Sequence, residues 1–538
     1  MKNIILLILS IVLVKILLTH ACPDYPKPIK INQNDPLLVK AYAEVDSMIQ
    51  QNMKSNGIKS FMATIVYRDE IVWSKGYGNV RPLDPTSPPL TIDNAVRIAS
   101  ITKVFTDVMM FQLRDKGVIS LDEPISKYYP EFTVRDMYNT KRLITFRELA
   151  SHQSGLPREV PCDFELLPTS NCTERIILER LAEQFLILPV YTQTHYSNLG
   201  IAALGRTLGK AAQMEYEQYV EEKILHPLGM KNASFSYDKV KDYMATGLLL
   251  WPNGTYTNAE ILGLGWGTPM GGLYATARDM SKFMMFWLNG NDDVLDSSTV
   301  KEALSPIALI TDGVHAYGTP FEMAYDTSNN IWMKSKAGAL DGYRTQMALV
   351  KELKLGVFFS SLMYVSSEDV FTQQALDILL PVYEALLYRE NSKPENANQM
   401  LNDLVRPIKS REEEQDKKPE IPFETFVGTY AHYLGVFRVD NTTYPNELTA
   451  NFGDNNIFNV TRFAEDYPYI LRIHVSNPEI YPCVFVDDGE NYELVYFKVN
   501  PNDENECESV QVMGQNMSLI SRDPTIEVAN TRPYRKFL

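Results

Sequence analysis

Residues 97–116 read Arg97-Ile-Ala-Ser-Ile-Thr-Lys-Val-Phe-Thr-Asp-Val-Met-Met-Phe-Gln-Leu-Arg-Asp-Lys116. Apolar side chains recur at positions 101, 104, 105, 108 and 109, which is the i, i+3, i+4, i+7, i+8 spacing of one helix face. Phe111 and Leu113 extend the apolar surface most of the way round the helix. The stretch therefore predicts a buried central helix around which the rest of the chain packs.

Ser100 and Lys103 stand at the start of this helix, three residues apart and therefore on the same face. The N–H groups of a helix's first turn have no partner within the helix, and the positive end of the dipole lies there, so both can stabilise an oxyanion at Ser100. Burial lowers the pKa of a lysine, and Lys103 can then act as a base toward the neighbouring hydroxyl. Two other Ser-x-x-Lys spacings lie in polar or exposed sequence, namely Ser236/Lys239 and Ser298/Lys301. Ser100 is therefore the candidate nucleophile.

The flanking elements are predicted from apolar periodicity. A helix is expected over 36–56, and the runs 61–67 and 71–73 predict a hairpin. Near the end of the same domain, the runs 343–350 and 355–360 predict a second hairpin at the far side of the same sheet.

Composition indicates a globular chain with more than one domain. The 538 residues are 45% hydrophobic and 22% charged, and the net charge of -16 argues against nucleic acid or an anionic membrane surface as a partner. Residues 389–420 are rich in Glu, Lys, Asn, Gln and Pro and are predicted to be a linker between a domain at 30–388 and one at 421–528. The β-rich runs of the last domain, which predict a small antiparallel barrel or sandwich, are 427–433, 435–439, 447–452, 468–475, 483–486, 492–499, 509–513 and 518–521.

The N-terminal segment resembles a signal peptide. Residues 4–18 are almost entirely apolar and follow Lys2, and Ala21 is the expected cleavage position, so 1–21 is the predicted signal segment. The apolar stretch is shorter than the about 20 residues of a bilayer span and contains Lys15. We expect a secreted protein; a signal-anchored protein facing the lumen or exterior is the alternative, and membrane attachment is expected only without cleavage.

The five cysteines fit an oxidising compartment. Neighbouring positions predict two local disulfides, Cys162–Cys172 and Cys483–Cys507, with Cys22 left over. There is no Cys-x-x-Cys motif and no closely spaced histidine pair, so no metal site and no cofactor are predicted. Potential N-glycosylation acceptors, which support a secretory route, are Asn171, Asn232, Asn253, Asn441, Asn459 and Asn516.

Two further motifs follow Ser100-x-x-Lys103 along the chain. Tyr196-Ser-Asn198 is predicted in a loop, and Lys336-Ala-Gly338 on a strand. Each motif alone is common in this sequence, but their order and settings resemble the serine β-lactamase and penicillin-binding protein family, in the branch of class C enzymes and D-alanyl-D-alanine carboxypeptidases. The stretch Thr-Phe-Arg-Glu-Leu-Ala-Ser-His-Gln-Ser-Gly-Leu-Pro at 145–157 agrees with it. With its signal segment, cysteines and C-terminal extension, the chain most resembles the animal β-lactamase-like 1 group.

The resemblance covers residues 36–390 and implies an α/β (α+β) fold, in which an antiparallel sheet is flanked by helices and accompanied by an all-helical subdomain. It implies that Ser100 is the acylated nucleophile and that Lys103 orients and deprotonates it. Tyr196, held between Lys103 and Lys336, would pass the proton to the leaving group. Asn198 would hydrogen-bond Lys103 and the substrate amide.

By the same resemblance, the backbone N–H groups of Ser100 and Ala339 would form the oxyanion hole, and Ala337 and Gly338 would contact the substrate. The family usually has a hydroxyl residue, most often Thr, at the position of Ala337. Its absence removes a donor to the substrate carboxylate.

These features predict a secreted serine hydrolase that acts through an acyl-enzyme on an amide or ester of a small molecule or peptide and is weak or inactive on β-lactams. A catalytically silent binding protein that keeps the fold is the alternative. A Ser-His-Asp site using His152 or His195 is disfavoured because the sequence lacks a Gly-x-Ser-x-Gly elbow.

Overall fold

The computed structural model describes residues 25–524 except 140, 163–166, 168, 252, 328–330, 364–370, 394–395, 397–420, 433–434, 443–446, 453–455, 464–466, 476–491, 501–502 and 513–514. The predicted signal segment and most of the predicted linker lie outside the described residues. The chain divides into two compact units, one of which is Tyr25–Arg389, while the other contains Glu390 and the residues after it. Among the described residues, no helix has both the length and the apolar composition needed to cross a bilayer.

The first unit contains one large antiparallel sheet and two small two-stranded sheets, and this unit has twelve strands in all among the described residues. Its strands are β1 (Phe61–Tyr67), β2 (Glu70–Tyr77), β3 (Ala95–Arg97), β4 (Leu248–Leu250), β5 (Tyr256–Asn258), β6 (Tyr274–Thr276), β7 (Ala308–Leu309), β8 (His315–Tyr317), β9 (Glu322–Asp326), β10 (Ile331–Leu340), β11 (Tyr343–Val350) and β12 (Leu355–Ser361). Eight of them pair in the order β2-β1-β12-β11-β10-β9-β8-β7, while β3 pairs with β6 and β4 with β5. The predicted hairpin β11–β12 is present, but its predicted place at the far side of the sheet is wrong, because β12 pairs with β1 along its length.

Helices cover both faces of this sheet and also form the predicted helical subdomain. They are α1 (Pro36–Ser55), α2 (Thr102–Asp115), α3 (Phe146–Ala150), α4 (Glu174–Leu181), α5 (Asn198–Ala212), α6 (Tyr216–Val220), α7 (Tyr237–Val240), α8 (Thr268–Gly271), α9 (Ala277–Asn289), α10 (Ser297–Ala303) and α11 (Phe371–Asn391). Every residue of α2 from Thr102 to Leu113 is buried, which confirms the predicted buried central helix.

The two faces of the sheet belong to two separate hydrophobic cores. On β1, Met62 and Val66 pack into the core that contains α2 and α9. Phe61 and Ile65, on the opposite face, pack into the core formed with α1 and α11. Side chains alternate between the two faces of a strand, and both faces of this sheet are covered. Every residue of β1 is therefore buried.

The second unit contains a closed eight-stranded antiparallel barrel. Its strands are β13 (Gly428–His432), β14 (Gly435–Asn441), β15 (Leu448–Phe452), β16 (Asn456–Arg462), β17 (Ile470–Val475), β18 (Tyr492–Asn500), β19 (Asp503–Val512) and β20 (Gln515–Ser521), and they pair in chain order. This resolves the predicted choice between barrel and sandwich. Strand β16 was not predicted, because Asn456 and Asn459 weaken its β signal although Phe458 and Val460 point into the barrel core.

The two predicted disulfides have different outcomes. Cys162 and Cys172 are joined, with Cα atoms 6.3 Å apart. Cys507, however, is a free thiol buried in the apolar barrel core, so its predicted bond to Cys483 is wrong in this structure, and Cys483 itself lies outside the described residues. Burial raises the pKa of the Cys507 thiol to about 12, which makes it a packing residue with little thiolate character.

Candidate active site

The nucleophile candidate lies on a sharp turn that leads into α2. Ser100 belongs to the short 3-10 segment Ala99–Ile101, and Ala99 has a positive φ of 48°, which is unusual for a residue other than glycine. The Lys103 Nζ donates hydrogen bonds to Ser100 Oγ at 3.0 Å and to the carbonyl oxygen of Met270 at 2.5 Å. The predicted pairing of Ser100 with Lys103 is therefore present in the structure.

Lys103 is completely buried. Its burial, and to a smaller extent the ammonium of Lys336, lower the pKa of Lys103, although Tyr196 offsets part of this shift. An amine with a lowered pKa next to a hydroxyl has the chemistry of a base for a serine nucleophile.

Tyr196 lies between the two lysines, as its predicted role requires. The centroid of its ring is 5.2 Å from Lys103 Nζ and 4.9 Å from Lys336 Nζ. Burial by itself raises the pKa of the phenol, but the two ammonium groups outweigh burial and lower the pKa to about 8. A phenol with this pKa can take up and release a proton near neutral pH.

His152 packs against the ring of Tyr196, and among the described residues no Ser or Asp side chain hydrogen-bonds either of its ring nitrogens. The two rings are 4.4 Å apart, and His152 Nδ1 accepts a hydrogen bond of 3.2 Å from the backbone N–H of Ser197. Burial, together with Lys336, Lys103 and other nearby cations, holds the pKa of His152 well below its usual value, so the imidazole is neutral. Sequence reasoning missed this role, although His152 lies within the family-like stretch at 145–157.

Asn198 does not make its predicted contact with Lys103. Its Nδ2 donates to both carboxylate oxygens of Glu159, at 3.0 and 2.9 Å. The reason is local: Asn198 is the first residue of α5, and its backbone N–H donates to the carbonyl oxygen of Arg158 at 2.7 Å, which places its side chain beside the next residue, Glu159. The predicted contact of Asn198 with Lys103 is therefore absent from this structure, while its predicted contact with the substrate amide stays a prediction.

Strand β10 brings the third motif against the nucleophile. A Cβ atom added at Gly338 would lie 2.3 Å from the carbonyl oxygen of Ile98, 2.6 Å from Thr345 Oγ1 and 3.0 Å from the backbone nitrogen of Ser100. Only a glycine lets this strand approach the Ser100 backbone so closely. Ala339, the second predicted oxyanion-hole residue, follows directly in the chain.

The same strand offers a free edge to a substrate. Strand β9 pairs with 331–335 of β10, whereas β11 pairs with 334–340. Among the described residues, positions 336–340 thus have no strand partner on the β9 side, and an extended substrate can add there by main-chain hydrogen bonds. The predicted contact residues Ala337 and Gly338 lie on this edge.

Lys336 forms an ion pair that the sequence did not reveal. Its Nζ donates to the carboxylate of Glu322, the first residue of β9, and the side chains of Lys336 and Glu322 are 1% and 33% exposed. Burial lowers the pKa of Lys336, but the Glu322 carboxylate outweighs it and holds the pKa above the ordinary lysine value. Lys336 is therefore a permanent cation. Within the described part of the chain, no group of three or more His, Cys, Asp or Glu side chains is placed to hold a metal.

Comparisons with known proteins identify the family. The family model named Beta-lactamase matches residues 45–374. Beta-lactamase-like protein 2 of Dictyostelium discoideum is 61% identical over 96% of this chain and 94% of its own length. The human protein Putative beta-lactamase-like 1 is 29% identical over 69% of this chain and 75% of its own length, in line with the resemblance to the animal group.

Serine hydrolases are among the relatives. The D-alanyl-D-alanine-carboxypeptidase/endopeptidase AmpH of Escherichia coli strain K12 is 29% identical over 53% of this chain and 74% of its own length. The structure of the octameric penicillin-binding protein homologue from Pyrococcus abyssi shares the fold, with a TM-score of 0.58 and 18% identity over 88% of this chain and 99% of that one. With its ordered motifs assembled around Ser100, the chain belongs to the β-lactamase family.

Proposed function

We propose that this protein is a serine hydrolase that cleaves an amide or ester through an acyl-enzyme at Ser100 and is weak or inactive on β-lactams. The observation that carries the proposal is the hydrogen bond of 3.0 Å from buried Lys103 to Ser100 Oγ, beside a phenol flanked by two lysines.

The arrangement supports a simple sequence of proton transfers. The Ser100 hydroxyl gives its proton to the base formed by Lys103 and Tyr196 as its oxygen attacks the substrate carbonyl. The oxyanion is stabilised by the N–H groups of Ser100 and Ala339. Tyr196 then protonates the leaving amine or alcohol as its bond to the carbonyl carbon breaks. Water attacks the resulting ester by the reverse transfers and releases the acid with Ser100 restored.

Labelling tests the proposal directly. The purified protein is incubated with a fluorophosphonate or penicillin probe, and the adduct is located by peptide mass spectrometry. We expect the adduct on Ser100, its loss in Ser100→Ala and its retention in Ser298→Ala, which removes the serine of another Ser-x-x-Lys spacing. Absence of an adduct at Ser100, or equal labelling of Ser100→Ala, would favour the catalytically silent binding protein.

The pH dependence of turnover should follow Tyr196. With a pKa of about 8, about one tenth of the phenol is ionised at pH 7, and the basic form is lost as the pH falls. We expect kcat/KM for a neutral ester to rise with pH, with an apparent midpoint near 8 that belongs to the coupled Lys103–Tyr196 unit. A profile that is flat between about pH 6 and pH 9 would show that Tyr196 transfers protons as a neutral phenol.

Position 337 is expected to limit activity on β-lactams. Ala337 is partly exposed on the free edge of β10. A hydrogen bond to a charged group contributes about 1.5–3 kcal/mol, and Ala337→Thr should therefore raise β-lactam acylation by roughly 10 to 150-fold. Ala337→Val is the matched control, because it has the shape of Thr without the hydroxyl. Equal rates for the Thr and Val variants, or wild-type hydrolysis of nitrocefin as fast as of simple esters, would show that residue 337 does not set the substrate.

We also propose that the protein is secreted. The Cys162–Cys172 disulfide favours an oxidising compartment, and the acceptors Asn171, Asn232, Asn253 and Asn441 are exposed. Expression of the full chain in a secretory cell, followed by glycan mapping of the medium and of the membrane fraction, tests this. A cytosolic, unglycosylated product would contradict it, and an uncleaved membrane-bound product would support the signal-anchored alternative.

A further inference from the structure

Residue 337, the position that the family resemblance assigns to contact with a substrate carboxylate, directly follows Lys336, and Glu322 already pairs with that lysine. The Cα of Glu322 lies opposite that of Ser335 across the β9–β10 pair, and Ser335 Oγ donates to the Glu322 carbonyl oxygen at 2.8 Å. The strand register therefore fixes Glu322 beside the residue that precedes Lys336. Its side chain turns to Lys336 and accepts a hydrogen bond from Nζ.

The side chains of Lys336 and Glu322 differ in how far they are exposed to solvent. Lys336 is 1% exposed, so its ammonium depends on a charged protein partner in place of water. The side chain of that partner, Glu322, is 33% exposed and reaches the surface where β9 begins. An incoming anion that approaches Lys336 would therefore meet a carboxylate of the same charge beside the cation. Like charges at such a contact lower affinity and help to exclude the wrong ligand.

We infer that Glu322 is a specificity-determining residue: it supplies an internal carboxylate to Lys336, so that the site selects esters or amides that carry a neutral or cationic group there and disfavours substrates with a carboxylate. This inference rests on the proposed function, because it concerns the substrate of the same site. The inference is independent of the prediction for position 337. It depends on the carboxylate of Glu322, whereas that prediction depends on the hydroxyl that Ala337 lacks.

The test uses three matched substrates. They are aryl esters of one acyl group whose leaving ring carries a carboxylate, a carboxamide or a trimethylammonium group. For the wild-type full chain, we expect kcat/KM to be highest for the carboxamide or the ammonium ester. In Glu322→Gln, the carboxylate-to-carboxamide ratio of kcat/KM should rise by roughly 10 to 150-fold, the range that corresponds to one charged contact.

A matched control is the ion pair of Lys334, which lies two residues before Lys336 on β10. Lys334 is also a buried lysine, and it pairs with Glu352 at 2.8 Å. Glu352→Gln removes a comparable ion pair, yet we expect it to leave the substrate ratios unchanged. A change of the same size in both variants would show that the effect is a general loss of structure, and it would overturn the inference.

Equilibrium binding separates the inference from the proposed function. The corresponding anilides, which are cleaved slowly, report dissociation constants that do not depend on turnover. If no ester is hydrolysed but Glu322→Gln still shifts anilide binding toward the carboxylate, the proposed function fails and the inference stands. If the esters are hydrolysed and the ratios are the same in wild type and Glu322→Gln, the inference fails while the proposed function stands. If no ester is hydrolysed and anilide binding does not depend on the charged group, both are overturned.

Discussion

Tyr196→Phe is expected to lower kcat/KM for an ester by at least about 10³-fold, the scale of losing one member of a coupled catalytic unit. The reason is that Tyr196 is the group between Lys103 and Lys336 whose pKa lies near neutrality. Lys103→Met should cost a similar factor, because it removes the partner of Ser100 Oγ. Steady-state kinetics on a neutral aryl ester, with the activity of Ser100→Ala as the background, measures both.

The double variant Lys103→Met/Tyr196→Phe tests the coupling of the two residues more sharply than either single variant. If Lys103 and Tyr196 act as one unit, the double variant should be no worse than about the poorer single variant, since the second change removes nothing that still functions. Lys301→Met, which changes the lysine of another Ser-x-x-Lys spacing, should keep wild-type activity. Because the Lys103 side chain is fully buried and its charged form is costly to bury, its replacement by Met should leave the Tm unchanged or raised. Additive losses of about tenfold each would contradict the coupled unit.

Gly338→Ala is expected to lower kcat/KM by about 10²- to 10³-fold, which is the usual cost of losing one oxyanion-hole donor. A Cβ atom there would lie 3.0 Å from the backbone nitrogen of Ser100 and only 2.3 Å from the carbonyl oxygen of Ile98, so the strand and the nucleophile turn must move apart. That movement separates the N–H groups of Ser100 and Ala339.

Position 337 provides the comparison for this variant. Ala337→Gly changes the same strand one residue earlier without adding an atom, and it should keep most of the activity on neutral esters. A Gly338→Ala variant that keeps near wild-type kcat/KM and Tm would show that the contact between β10 and Ser100 does not set the oxyanion geometry.

Several features could be predicted from the sequence because short-range spacing determines them. The period of apolar residues in α2 allowed its burial to be predicted, and the three-residue spacing places Lys103 on the face of Ser100. The short separation of Cys162 and Cys172 is compatible with a local disulfide. Tyr196 and Lys336 are far from Ser100 in the chain, and only the resemblance of the ordered motifs placed them in one site.

The sequence by itself thus determined the buried helix, the Ser100–Lys103 pair and the family, because helix geometry and the order of motifs are properties of the chain. Tertiary structure alone decided that Asn198 binds Glu159, that His152 packs on Tyr196, and that β12 lies beside β1. It also decided that Glu322 forms an ion pair with Lys336. The physical reason is that the direction of a side chain and the partner of a buried charge depend on strand register and loop packing, which bring together residues that no local pattern relates.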